Sequence, residues 1–279
     1  MKQLISITGL ALALTLQTAL AQSPAPAGPP TAVTTPPAPL AVPAWALPGS
    51  STHKQVAPPA GFHRPTVNFS QPLGLFEGQS DVGGPLLPGS ASYDAGNKRY
   101  TLNSASYNIW YFRDEFRFAW KKMSGNLSLV ADVTFPNTQG FSDRKAVLVI
   151  RQDLDDDSKE IMAALHGAGL IHLAQRPTKG GNLKESERLK ATPAEAGDPP
   201  IRIGVKKNGD AFTLWVSLKG EPMHQIGASA DLHFDGPFYV GIGFCSHVPD
   251  KVDTAVLSNV VFENAAGMAS AEEGTAGPH

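Results

Sequence analysis

From Tyr107 to Asn264 the chain is a succession of short apolar or alternating runs, divided by turn signals and lacking any long amphipathic helical pattern. That punctuation predicts an all-β sandwich. Glu115 to Lys122 alternates Phe116, Phe118 and Trp120 with Arg117, Ala119 and Lys121, so a period of two places three aromatics on one face. A core face is the leading reading of that stripe, and a carbohydrate-stacking platform is the other.

Further strands are expected at 70–88, 100–102, 108–112, 127–135 and 145–151. Runs at 160–166 and 170–176 form a hairpin around Gly167-Ala168-Gly169, and runs at 201–207 and 211–218 flank Asn208-Gly209-Asp210. An Asn-Gly between two such runs is the strongest short hairpin signal. The last pair spans 238–245 and 254–263, where Gly241 and Gly243 imply close packing or a bulge. Between them, 179–200 reads as a strand fragment and a long polar loop.

The ends read differently. Lys2, an apolar run from Leu4 to Leu16 and Ala19-Leu20-Ala21 have the form of a secretory signal peptide over 1–21. That run falls short of the roughly 20 residues needed to span a bilayer, so no transmembrane anchor is expected. A Pro/Ala-rich tether and lead-in then covers 22–69, the sandwich domain 70–264, and a flexible Gly/Ala/Glu-rich tail 265–279. The expected location is periplasmic or secreted. Loss of Lys2 with the signal takes the formal net charge from −2 to −3, which gives no electrostatic case for nucleic acid. Cys245 stands alone, so no internal disulfide forms; it reads as a buried small hydrophobe rather than a catalytic thiol.

Several landmarks together resemble one family. They are Asn108-Ile109-Trp110, Asp114-Glu115-Phe116-Arg117-Phe118 with Trp120, Gly125-Asn126-Leu127, and Val149-Ile150-Arg151-Gln152 with Asp157-Ser158. Asn208-Gly209-Asp210 with Phe212, Tyr239-Val240-Gly241-Ile242, Ser246-His247 and Leu257-Ser258-Asn259-Val260-Val261-Phe262 follow in order. The chain from about Leu86 to Asn264 is thereby similar to secreted bacterial concanavalin A-like jelly-roll domains, sometimes fused to Tol-type β-propellers and labelled biopolymer-transport related. The resemblance implies two curved antiparallel sheets, with a concave face that serves carbohydrate recognition across the wider superfamily.

Residues with binding chemistry interrupt the strands. Arg151 ends an apolar run, and His172 and Arg176 share a face by alternation. With His247 at the final loop, these are the candidate ligand-binding residues, able to donate to sugar hydroxyls, carboxylates or a peptide. The other reading of Arg151 is an ion pair with Asp153 or another carboxylate that orders the strand end. Asp153, Asp155 and Asp157 form an acidic turn whose second reading is a calcium site, although Ser158 and Ala164 stand where an EF-hand has Gly and Glu. No other cofactor is expected. Zinc on His166 and His172 lacks further ligands, and there is no Gly-x-Ser-x-Gly elbow, phosphate-cradling loop or alternating glucanase-type acid signature. The reading is a non-catalytic module that binds a glycan or envelope component. The alternatives are a glycan hydrolase with an unrecognised acid pair or an envelope protein-interaction module.

Overall fold

Seventeen strands make up the fold, in a computed structural model that describes residues 41–47, 57–59, 61–191 and 199–264, all within the unit Pro39–His279. The signal peptide expected over 1–21 and the tail over 265–279 lie outside those residues. In chain order the strands are β1 (Val67–Phe69), β2 (Gly78–Val82), β3 (Leu87–Asp94), β4 (Arg99–Ala105), β5 (Ile109–Trp110), β6 (Arg113–Asp114), β7 (Phe116–Met123), β8 (Leu127–Thr134) and β9 (Lys145–Arg151). Then follow β10 (Glu160–His166), β11 (Leu170–Arg176), β12 (Lys184–Lys190), β13 (Ile201–Asn208), β14 (Ala211–Ser217), β15 (His224–Asp231), β16 (Phe238–Cys245) and β17 (Asp253–Asn264).

One sheet has the order β1-β2-β7-β16-β9-β10-β11-β12, the other β15-β14-β13-β8-β17-β4-β3, and β5-β6 stands apart as a short hairpin. All neighbours pair antiparallel. This is the expected all-β sandwich of two antiparallel sheets. Among the described residues no helix is long and apolar enough to cross a membrane.

The main core lies between the sheets. Ala146, Leu148 and Ile150 of β9 and Val240, Ile242 and Phe244 of β16 meet Leu129, Ala131 and Val133 of β8 and Ile203 and Val205 of β13. The eight-stranded sheet buries its other face as well. There Phe116, Phe118, Val147, Val149, Met162, Ala164 and Ala174 form a second cluster beneath Ile109 of the hairpin. Strands β9 and β10 are consequently buried at every position, which is why β9 reads as a nearly unbroken apolar run rather than an alternation.

The aromatic stripe of β7 is packed, yet it faces away from the partner sheet: Phe116 and Phe118 belong to the outer cluster, while Ala119 points to the inter-sheet core. Gly243 explains how the stripe fits, because a Cβ there would lie 2.7 Å from the Phe116 ring. The strand predicted over 108–112 is split into the β5-β6 hairpin, which turns at Tyr111 with φ of 55°. Strands β1 and β15 and all of β3 beyond Pro88 lie outside the predicted set.

If the outer cluster is a true core, Phe118→Ala costs about 3–5 kcal/mol, as large-to-small changes in a core do. Urea denaturation measures this, and a loss under about 1 kcal/mol, typical of surface substitutions, would show that the hairpin does not close the sheet.

Candidate functional site

The outer face of the eight-stranded sheet is closed by an ion network. Asp114 of β6 drops from the hairpin between Arg151 and Arg176, all three with 0% side-chain exposure. Arg176 grips it with two bonds, Nη1 to Oδ2 at 2.7 Å and Nη2 to Oδ1 at 2.6 Å, and Arg151 Nη1 reaches Oδ2 at 2.7 Å. Glu160 completes the square, in contact with Arg151 and 3.3 Å from Arg176. Arg176 also donates to the carbonyls of Tyr111, Ser158 and Gly181. The other reading of Arg151, an ion pair, is therefore the arrangement found, with Asp114 as its charged partner and the Glu160 carboxyl beside it. All three guanidinium nitrogens of Arg176 and both Nη groups of Arg151 meet the protein's own acceptors.

The network extends to the lead-in segment. Arg113, 1% exposed, bonds Asp156 at 3.2 Å and lies 3.4 Å from Glu115, and His63 Nδ1 meets Asp156 at 2.9 Å. At the opposite end, Lys145 Nζ donates to Asn108 Oδ1 at 2.8 Å, and the Trp110 ring stacks on His172 with centroids 5.4 Å apart. His172 touches the ring of His166 and bonds Glu185 at 3.2 Å. His247 lies elsewhere, on the β16-β17 loop, buried with φ of 63° and stacked on Phe141 at 5.0 Å. The four expected ligand residues are thus three separate internal placements rather than one exposed site.

The acidic turn is exposed and already holds a cation. Lys179 Nζ lies 3.1, 2.6 and 2.9 Å from Asp153, Asp155 and Asp157, and these carboxylates raise its pKa against the opposing effect of burial. No group of three or more His, Cys, Asp or Glu among the described residues is arranged to hold a metal ion.

Burial separates the titrating groups. It opposes the charge on Asp114, but Arg176 and Arg151 outweigh it and hold that carboxyl below the usual range. Glu160 is pushed up to about 8 by burial, with Arg151 resisting. His166 is pulled down to about 4 and His172 well below its usual value, again by burial. Cys245 is raised to about 11, so its thiol stays protonated beneath the hairpin.

The seven-stranded sheet presents the contrasting face. Register places Thr213, Lys206, Ser128 and Glu263 in one rank across β14, β13, β8 and β17, and Trp215, Gly204, Val130 and Val261 in the next. The half-buried indole of Trp215 donates to Thr213 Oγ1 at 2.9 Å, with Lys206 Nζ 3.5 Å from its ring centroid. Two depressions meet there, of about 450 and 290 Å³, sharing Ser128 and Lys206. Sequence reasoning missed this groove. Its signal was the outward row Arg202, Gly204, Lys206 beside Thr213 and Trp215, legible once the Asn208-Gly209 hairpin fixes the register.

Solved structures align with the sandwich. A carbohydrate binding module, CBM66 from Bacillus subtilis, has 13% identity over 63% of this chain and 92% of its own, with a TM-score of 0.45. Lectin I-B4 from Griffonia simplicifolia has 11% identity over 63% and 90%, with a TM-score of 0.43. A functionally unknown protein from Saccharomyces cerevisiae has 14% identity over 71% and 96%, with a TM-score of 0.47. These are similarities of fold alone. No family model matches the chain, and no curated protein sequence matches it.

The buried groups set a pH profile. Below 6.5 the unfolded chain binds protons that His166, down to about 4, and His172 refuse in the native state, so their contribution rises with pH and is lost in acid. Glu160 acts oppositely: between 4.5 and about 8 the native state keeps a proton the unfolded chain releases, so stability falls as pH rises. Glu115, also raised by burial, acts with Glu160, so below 6.5 the two histidines and the two carboxyls oppose one another, while between 6.5 and about 8 the carboxyls act alone and thermal melts should fall as pH rises. Glu160→Gln flattens the alkaline limb, and an unchanged limb would assign it to another group.

Proposed function

We propose that the chain is an exported, non-catalytic binding module, and that its ligand is a glycan taken on the outer face of the seven-stranded sheet. The observation that carries this reading is the groove around Trp215. It joins a half-buried indole to hydroxyl, amide and ammonium groups on rigid strands, the mixture of one apolar surface and a few placed polar groups that ligand sites use. A sugar offers the complement, an apolar C–H face ringed by hydroxyls. The carboxylates nearest to an acid pair, Asp114 and Glu160, have 0% exposure and face arginines, which leaves no route for a glycosidic oxygen to reach them. Strands β8, β13, β14 and β17 hold the groove side chains at fixed cross-strand spacing, so the site is preorganised.

The test is retention of the secreted chain on a panel of neutral and acidic polysaccharides and on cell-wall preparations, with supernatants assayed for new reducing ends. Retention without products is expected, and Trp215→Ala should lower affinity by about tenfold or more, the effect of losing a buried aromatic anchor. Full retention by Trp215→Ala with a normal melting curve would move the ligand off this face, and released products would make the chain an enzyme. Capture of an envelope protein with no glycan retained would replace the reading with protein interaction.

A further inference from the structure

The charges of the groove narrow the class of glycan, and this inference rests on the glycan reading above. Lys206 occupies the junction of the two depressions, and among the described residues it pairs with no carboxylate; the Trp215 ring is its neighbour. Lys207 lies at the groove's end, donating to the Gly209 carbonyl. Of the acids nearby, Asp132 is matched by a cation and Glu263 meets only a hydroxyl. Asp132 accepts from Arg202 Nη1 at 2.7 Å and from Asn259 Nδ2 at 2.7 Å, and Glu263 accepts from Ser128 Oγ at 3.3 Å. Lys206 is therefore the unmatched cation of the groove, and Glu263, beyond Ser128 in the same rank, is its unmatched acid.

The unmatched ammonium has a chemical meaning. An ammonium over an indole is stabilised by the ring's quadrupole, but this weak contact leaves the three N–H donors without an anionic acceptor. A neutral sugar leaves that charge unmatched; a carboxylate answers it with a charge-assisted bond, roughly twice as strong as a neutral one. Thr213 and Ser128 flank Lys206 in the same rank and supply hydroxyls for the remaining polar groups of a sugar ring.

We propose that the glycan is acidic, a uronate-bearing polysaccharide whose carboxylate sits against Lys206 beside the Trp215 indole.

The experiment compares the full chain on polygalacturonate, alginate and hyaluronate with the carboxyl-reduced form of each, and with neutral polysaccharides. Reduction removes the charge and keeps the sugar backbone. At least one acidic polymer should bind about tenfold or more tightly than its reduced form, the range for a hydrogen bond to a charged group. Added salt should narrow the difference, Lys206→Gln should abolish it and Lys206→Arg should keep it, each variant melting with the parent. Equal binding of acidic and reduced polymers, or binding of neutral polymers only, overturns the acidic assignment and leaves the glycan reading standing. No retention of any polysaccharide overturns both. An acidic preference that survives Lys206→Gln removes the carboxylate from this groove.

Discussion

The carboxylate of Asp114 is the interaction on which the rest of the structure depends. It is supplied by a two-residue strand that makes almost no ladder of its own, and it is held by two arginines from β9 and β11. Ionised groups taken out of water cost several kcal/mol each, and such a site persists only when geometry and additional hydrogen bonds are excellent. Here Arg176 alone adds three carbonyl acceptors. The consequence is positional. Pinning Asp114 lays Ile109 over Phe116, Phe118, Val147 and Val149, and turns what would be an exposed apolar sheet into a second core.

The two outer faces of the sandwich thereby acquire different fates. One is covered by the chain itself, and its histidines, cysteine and acids are held uncharged or paired in a buried interior. The other keeps its side chains half-exposed, with Lys206 unmatched and Trp215 partly in solvent. A sandwich of this kind has two broad faces, and the hairpin closes the first. The many charged residues on the closed face look like a polar site in sequence, but they act as fasteners for the hairpin.

The sequence showed the architecture more clearly than the site. Strands β9 to β11, β13, β14 and β16 fall close to where apolar runs and turn residues placed them, because each has at least one fully buried face. Strands β3 and β15 are unmarked in the sequence for the converse reason: Leu87–Asp94 and His224–Asp231 are largely exposed and rich in Gly, Ala and Ser, so neither carries a strong apolar period. The polar interruptions Arg151 and Arg176 were visible, but their partner is Asp114, 37 and 62 residues away, and no local pattern shows that pairing. The groove was hidden because Arg202, Gly204 and Lys206 become one row only when paired with β8 and β14.

The most direct test of the account is a map of amide chemical shifts on the full chain as a retained polysaccharide fragment is titrated in. Changes confined to the outward residues of β8, β13, β14 and β17, centred on Lys206 and Trp215, are the predicted result. Changes centred on Arg151, His172 and Arg176, with loss of the Trp110 contact to His172, would show that the hairpin lifts and that the ligand belongs to the face assigned here to the core.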